Sequence, residues 1–297
     1  MIKLLLRTLL PLLFFTSCDF NPSNKSTLAE EKDKNPGAIL DRSLIDRHPD
    51  SPLIINPAQE PESVFVERMK HLSKREPLFQ KDDYLGLLNE GLAKYRINEY
   101  LEAIKNFTHA IEADPEQAEA YYYRGQVFID INNIHAAKSD FRRVTQMTAD
   151  DPEAWNFLGY TQSLDGDNQS AIESFNKAIA INPNNPMYYY NRGGSLAKTD
   201  QLNAALDDFD KAIELGSETS GIFNNRANTK YLLGDYRGAI SDYTRAIRLN
   251  PESYAPFANR GYSYLFIGDT LRACADWRTA EEMGHPMAKG YLQLYCK

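Results

Sequence analysis

Residues 220–253 read SGIFNNRANTKYLLGDYRGAISDYTRAIRLNPES, and the pattern of this stretch recurs every 34 residues through most of the chain. Six windows of this length begin at Tyr84, Ala118, Pro152, Pro186, Ser220 and Tyr254. Position 20 of the window is Ala in all six copies, position 24 is aromatic in all six, and position 8 is Gly or Ala in all six. A repeat of constant length without insertions predicts one supersecondary unit used six times.

Each window divides into two helical halves. Gly-Asp pairs occupy positions 15 and 16 in three copies, where we expect them to end a first helix and begin a second. The tiny residues at positions 8 and 20, and at position 27 in five of the six copies, would let two antiparallel helices approach closely, and the aromatic ring at position 24 would fill the remaining space. Each hairpin leaves one apolar face that only a neighbouring hairpin can cover, so the units are expected to stack as a solenoid. The first helix of each pair is called the A helix and the second the B helix.

This pattern resembles the tetratricopeptide repeat (TPR), a helix–turn–helix unit of 34 residues. The resemblance implies an all-α fold, a right-handed TPR α-solenoid of six repeats over residues 84–117, 118–151, 152–185, 186–219, 220–253 and 254–287. Residues 288–297 fit a short helix that would cap the last repeat. The five His residues form no zinc-binding motif, and no phosphate-binding or nucleophile motif is found, so we expect neither an enzyme nor a cofactor or metal site.

The first 18 residues, MIKLLLRTLLPLLFFTSC, resemble a bacterial lipoprotein signal peptide. Two cationic residues precede a short apolar run, which ends in two small residues and Cys18. The resemblance implies that residues 1–17 are removed and that acyl chains on Cys18 hold the protein at a bacterial cell-envelope membrane, inner or outer, in an extracytoplasmic compartment. A buried N-terminal helix is the alternative interpretation. Residues 18–83 are expected to form a flexible linker, with a short helix near 62–74.

The six copies also allow an internal comparison of charged positions. Arg occupies position 7 in four copies and Asp occupies position 23 in the same four, whereas the two copies without the Arg also lack the Asp. We therefore predict four structural ion pairs, namely Arg124–Asp140, Arg192–Asp208, Arg226–Asp242 and Arg260–Asp276. A functional anion site is the alternative, but each Arg already has its own carboxylate.

In TPR proteins the A helices line a concave groove, and the resemblance implies a peptide-binding surface on this face. The candidate groove residues are Tyr122, Gln126, Asn156, Tyr160, Tyr190, Asn224, Asn228, Tyr231 and Tyr262. Tyr offers a large amphipathic contact area, and Asn can bond both to the N–H and to the C=O of an extended peptide. Packing between adjacent A helices is the alternative for each of these side chains. Groove positions 2, 5, 9 and 12 hold no Lys or Arg in any copy, which excludes a carboxylate clamp.

Two further cysteines lie near the C-terminus. Cys274 is on the sixth B helix and Cys296 is in the predicted cap, so an oxidising compartment would allow a disulfide between them; two buried thiols are the alternative. The formal net charge of −8 argues against nucleic acid as a partner. The sequence thus predicts a membrane-anchored, non-catalytic scaffold that binds a partner protein or peptide in its groove. The alternative is a structural component of a cell-envelope, secretion or pilus assembly that acts through its convex surface or as a homo-oligomer.

Overall fold

The computed structural model describes residues 82–296, and this range contains thirteen helices and no strand. The helices are α1 (Asp82–Arg96), α2 (Tyr100–Ala113), α3 (Ala118–Asp130), α4 (Ile134–Met147), α5 (Pro152–Leu164), α6 (Asn168–Ile181), α7 (Pro186–Lys198), α8 (Leu202–Glu214), α9 (Ser220–Leu232), α10 (Tyr236–Leu249), α11 (Tyr254–Phe266), α12 (Thr270–Glu282) and α13 (Ala288–Tyr295). The predicted signal peptide, Cys18 and the short helix near 62–74 lie outside the described residues.

The first twelve helices form six antiparallel pairs, each made of an A helix and the B helix that follows it. Every B helix from α2 to α10 also packs on the A helix of the next pair, and α12 packs on the final helix α13. The A helices α3, α5, α7, α9 and α11 begin at the first residue of their 34-residue windows. The prediction of an all-α solenoid of paired helices is therefore confirmed.

The aromatic residue at position 24 fills the centre of each hairpin. These six side chains are fully buried: Phe107, Phe141, Phe175, Phe209, Tyr243 and Trp277. The residue at position 8 must be tiny because the ring lies directly against the A helix. A Cβ atom on Gly159, for example, would lie only 2.7 Å from the ring of Phe175, which is closer than van der Waals contact allows.

The Gly-Asp pairs form the turns between the A and B helices, as the sequence predicts. Gly166, Gly234 and Gly268 have φ between 84° and 85°, a left-handed conformation that suits the end of a helix. The Asp that follows each Gly is the N-cap of the B helix. Its carboxylate accepts a hydrogen bond from a backbone N–H of the first turn, at 3.2 Å for Asp167, 2.9 Å for Asp235 and 3.1 Å for Asp269.

All four predicted Arg–Asp pairs are present, and each is bidentate. The guanidinium donates through Nε and one terminal nitrogen to the two carboxylate oxygens, at distances of 2.6 to 2.8 Å. The other terminal nitrogen donates to position 25 of the preceding B helix, at Thr108, Asn176, Asp210 or Thr244. Each Arg therefore holds its own hairpin together and also joins it to the preceding hairpin.

The last helix, α13, covers the end of the sixth repeat. Its Tyr291 is 2% exposed and packs with ring centroids 4.9 Å from Tyr262 and 5.6 Å from Trp277. Cys274 and Cys296 are joined by a disulfide bond, which decides between the predicted disulfide and the alternative of two buried thiols. The cap is therefore held to α12 both by aromatic packing and by a covalent bond.

Candidate functional site

The nine predicted groove residues lie on the A helices, but eight of them are buried between neighbouring repeats. Their exposed fractions are 9% or less, for Tyr122, Gln126, Asn156, Tyr190, Asn224, Asn228, Tyr231 and Tyr262. Tyr160 is half-buried. The structure thus corrects the expectation that these eight side chains form an open surface, because consecutive A helices lie close enough for them to pack on one another. A role for this face in peptide binding stays a prediction.

Several of these buried side chains take part in hydrogen bonds that link successive A helices. Position 6 of α7 donates from Asn191 Nδ2 to Asn156 Oδ1 at 2.9 Å. The equivalent Asn225 of α9 donates to the Tyr190 hydroxyl at 3.0 Å, and Asn259 of α11 donates to Asn228 at 3.1 Å. Position 6 is not among the predicted groove positions. The signal was present, because Asn occupies that position in the last three copies.

A smaller set of residues on the same face remains partly exposed, and it lies in the middle of the solenoid. We call it the central patch, and its members are Glu153 and Tyr160 of α5, Met187, Asn191 and Gly194 of α7, and Asn225 of α9. Of the nine predicted groove residues, only Tyr160 belongs to it. Buried side chains orient the two amide groups of the central patch. Asn156 accepts a hydrogen bond from Asn191, and the Tyr190 hydroxyl accepts one from Asn225.

The floor of the central patch is open at Gly194. A Cβ atom added there would meet nothing within 4 Å. The other five copies carry a larger side chain at this position, namely Leu92, Gln126, Tyr160, Asn228 and Tyr262. Asn191 and Lys198, three residues before and four residues after Gly194, are its neighbours on the helix surface. The open space is therefore bordered by an amide on one side and an ammonium group on the other.

Most polar groups around the central patch are uncharged and could form hydrogen bonds with a ligand. The Tyr188 hydroxyl donates to Glu153 Oε1 at 2.6 Å, and burial together with this bond raises the pKa of Tyr188. Burial also raises the pKa of Tyr160, so that its hydroxyl keeps its proton at neutral pH. At the far margin, Lys198 Nζ donates to Ser163 Oγ at 3.1 Å. A ligand would thus meet amides and hydroxyls in the middle, with one anionic and one cationic side chain at the edges.

The described part of the chain holds no group of three His, Cys, Asp or Glu side chains that could bind a metal ion. Among the same residues, no helix combines the length and the apolar character needed to cross a bilayer. His285 is buried, and this burial lowers its pKa; it lies against Tyr254 beneath the cap, away from the central patch.

Comparison with known protein families defines the class of protein. Models described as "Tetratricopeptide repeat" match residues 88–134, 118–151 and 221–253, and a model described as "TPR repeat" matches residues 164–200. Together with the six helical hairpins, these matches show that the chain contains tetratricopeptide repeats.

One curated relative is Tetratricopeptide repeat protein 33 of Homo sapiens, which is 30% identical over 100 residues. That match spans 34% of this chain and 38% of the relative, so the chain covers less than half of the length of the relative. The match lends further support to the repeat class and concerns only a part of each protein.

Three solved structures show the same fold. The structure of the APC/C hetero-tetramer Cut9–Hcn1 aligns with a TM-score of 0.67 at 15% identity, over 82% of this chain and 47% of that one. PilW, described as a type IV pilus biogenesis factor, aligns with a TM-score of 0.65 at 17% identity, over 71% of this chain and 99% of its own. YrrB, described as a TPR protein with an unusual peptide-binding site, aligns at 0.52 and 21% identity, over 63% and 97%. At these identities the likeness establishes the fold alone.

Proposed function

We propose that this protein is a lipid-anchored, non-catalytic scaffold that binds a segment of a partner protein on its A-helix face. The observation that carries the proposal is the central patch, where the helix surface is open at Gly194 and is bordered by amide groups held in fixed orientations. The fold supports it, since YrrB is described as having a peptide-binding site and PilW as a pilus biogenesis factor.

The chemistry of the patch suits an extended peptide. The Asn191 and Asn225 amides are held by buried partners, so little rotational freedom is lost when a ligand binds. An amide carries both donors and acceptors, which match the alternating C=O and N–H groups of a peptide backbone. Met187 adds a flexible apolar contact beside them. The site is therefore expected to recognise backbone and apolar side chains, with little dependence on ligand charge.

Binding on this face can be tested by filling the open space. Gly194→Trp would place a large ring over the patch, and its Cβ atom would displace nothing, because nothing lies within 4 Å of that position. Gly86→Trp is the control, since Gly86 is also a helical glycine at which an added Cβ atom meets nothing within 4 Å, and it is exposed. We expect crosslinking and co-purification from membranes to recover at least about tenfold less partner with Gly194→Trp, and unchanged amounts with Gly86→Trp.

Full recovery of the partner by Gly194→Trp, with wild-type circular dichroism, would contradict the proposed site. If light scattering then showed a stable homo-oligomer, the alternative of a structural assembly component would replace it.

The lipid anchor is supported by the order of charge, apolar run, small residues and Cys18 in the first 18 residues. Labelling of cells with radioactive palmitate tests it directly. We expect the wild type to carry label and to sediment with membranes, and Cys18→Ala to lose the label. Wild-type protein without label would remove the anchor from the proposal and leave the peptide site to be tested on its own.

A further inference from the structure

The cap helix α13 occupies the place of a seventh A helix. Its first residue, Ala288, lies 34 residues after Tyr254, which begins the A helix of the sixth repeat. The five A helices from α3 to α11 have thirteen residues each, whereas α13 has eight. Each of those five packs between two B helices, but α13 packs mainly on α12. Within the described residues, the cap is therefore a shortened A helix without a B helix of its own.

Few side chains of α13 are buried. Ala288 and Tyr291 are its two buried residues, and the other six are at least partly exposed. Gly290 lies inside the helix, at a position where an added Cβ atom would meet nothing within 4 Å. Packing does not require this glycine, and it lowers the helix propensity of an already short segment. We therefore expect the noncovalent contacts of the cap to be weak.

Two polar atoms beneath the cap are buried without a partner. Among the described residues, Nε2 of His285 and the hydroxyl of Tyr231 form no hydrogen bond. The ring centroids of His285 and Tyr291 are 5.8 Å apart. Burial raises the pKa of Tyr231, and Tyr295 of the cap contributes to this shift. A buried polar atom without a hydrogen bond costs free energy that contact with water restores, so these two atoms favour opening of the cap.

The disulfide bond between Cys274 and Cys296 opposes this opening. Cys274 lies on α12 and is 6% exposed, whereas Cys296 follows the last residue of α13 and is partly exposed. The bond joins residues that are 22 positions apart, so it keeps the cap beside α12 even when the noncovalent contacts break. Because reduction requires a thiolate to reach a sulfur atom, the partly exposed Cys296 is the side from which attack can occur.

We propose that this disulfide is a redox latch, which a protein dithiol opens so that α13 leaves the sixth repeat. A thiolate of the dithiol attacks Sγ of Cys296, which forms a mixed disulfide and releases the Cys274 sulfur as a thiolate. The second thiol of the dithiol then attacks its partner sulfur in the mixed disulfide and releases Cys296. An electron pair passes to the protein, the dithiol becomes a disulfide, and the two protons that it loses end on the two cysteine thiols.

Opening of the latch uncovers Trp277. This side chain is fully buried, and its ring centroid lies 5.6 Å from that of Tyr291 and 5.5 Å from that of Tyr295. The sixth repeat keeps its own contacts, because Trp277 also packs on Tyr262 and its Nε1 donates to the Ala258 carbonyl at 3.0 Å. The latch acts at the end of the solenoid and requires neither the central patch nor the lipid anchor.

The test uses the chain from residue 18 onward with Cys18→Ala, so that Cys274 and Cys296 are its only cysteines. Hydrogen exchange of the backbone, read by mass spectrometry, is compared before and after treatment with dithiothreitol under native conditions. We expect residues 288–296 to exchange at least about tenfold faster in the reduced chain, because loss of the cross-link raises the population of the open cap. Exchange in α5, in the third repeat, should change less than about twofold.

Two variants test the mechanism of the latch. Cys274→Ser with Cys296→Ser should exchange at the rate of the reduced chain, both with and without dithiothreitol. Gly290→Ala adds a Cβ atom that meets nothing within 4 Å. It should slow the exchange of the reduced cap about three- to fivefold, because the higher helix propensity of Ala favours the docked helix.

Three results would overturn the latch: a disulfide that dithiothreitol reduces only after denaturation, reduction that leaves exchange in residues 288–296 unchanged, or an equal acceleration in α5. The first would show that the bond is inaccessible, the second that packing alone holds the cap, and the third that the bond stabilises the whole solenoid. A Cys18 without lipid, or full partner recovery by Gly194→Trp, would contradict the proposed function and leave these exchange rates unaffected.

Discussion

Adjacent glycines in α7 show how one residue can serve packing while its neighbour serves the surface. Gly193 occupies position 8, where an added Cβ would lie 2.9 Å from the ring of Phe209. Gly194 occupies position 9, where the same atom would meet nothing within 4 Å. The first glycine is needed for the close approach of α7 and α8. The second is not needed by the fold, and it leaves an opening on the A-helix face.

This contrast predicts opposite effects of one substitution on stability. Gly193→Ala should lower the free energy of unfolding by about 1–3 kcal/mol, because Phe209 is fully buried and must shift to make room. Gly194→Ala should raise it by up to about 1 kcal/mol, because Ala has the higher helix propensity. Thermal unfolding followed by circular dichroism measures both. Shifts of the same sign would show that the packing of Phe209 against position 8 is looser than the distance of 2.9 Å indicates.

Arg226 contacts two carboxylates that differ in burial. Asp242 is 5% exposed and also pairs with Lys230 at 2.7 Å, whereas the side chain of Asp210 is 62% exposed. Asp242→Ala should lower the stability by about 3 kcal/mol, because it leaves two partly buried cations without this carboxylate. Asp210→Ala should lower it by less than about 1 kcal/mol, because an exposed pair contributes little. Unchanged stability of Asp242→Ala would mean that Arg226 does not depend on it.

Among the elements, the cap helix α13 depends most on its surroundings. It has only eight residues, too few for a helix to be stable on its own. Tyr291 packs on the sixth repeat, the disulfide joins Cys296 to α12, and His285 starts the turn by accepting the backbone N–H of Met287 at Nδ1, at 3.1 Å. The cap is therefore held by an aromatic contact, a disulfide bond and a histidine, and the last two respond to reduction and to pH.

The buried imidazole predicts a pH dependence of stability. Burial lowers the pKa of His285 below its usual 6.5, so the unfolded chain binds a proton more readily than the folded one. This contribution to stability is complete above about pH 6.5 and is lost as the pH falls through the lowered pKa. Between pH 7.5 and 5.5 the wild type should lose more stability than His285→Asn, whose side chain can still accept the Met287 N–H.

Exposed His109 provides the control, and His109→Asn should behave as the wild type does. The measurement is the melting temperature of the wild type, His285→Asn and His109→Asn, each at pH 7.5 and at pH 5.5. An equal loss of stability in the wild type and in His285→Asn would contradict the prediction, because it would show that burial does not oppose protonation of His285 in the folded protein.

For the whole molecule, the period of 34 residues was enough to predict the helical pairs, because one helical hairpin is a local structure. The Arg–Asp pairs could also be predicted, since Arg and Asp are present or absent together in the six copies. The exposure of individual side chains on the A-helix face could not be predicted from the sequence. It depends on how closely consecutive A helices approach, which is a property of stacked repeats and not of one window. Asn224 therefore proved to be buried, whereas Asn191, not named from the sequence, is partly exposed.

The central claim, that a partner polypeptide binds at the central patch, is tested most directly by photo-crosslinking in the cells that make the protein. A photoreactive amino acid replaces Gly194 in one strain and Gly86 in another, two positions where an added Cβ atom meets nothing within 4 Å. Irradiation should produce a covalent adduct with a partner protein from position 194 and none from position 86. Absence of an adduct at position 194, or the same adducts in equal yield from both positions, would contradict the claim.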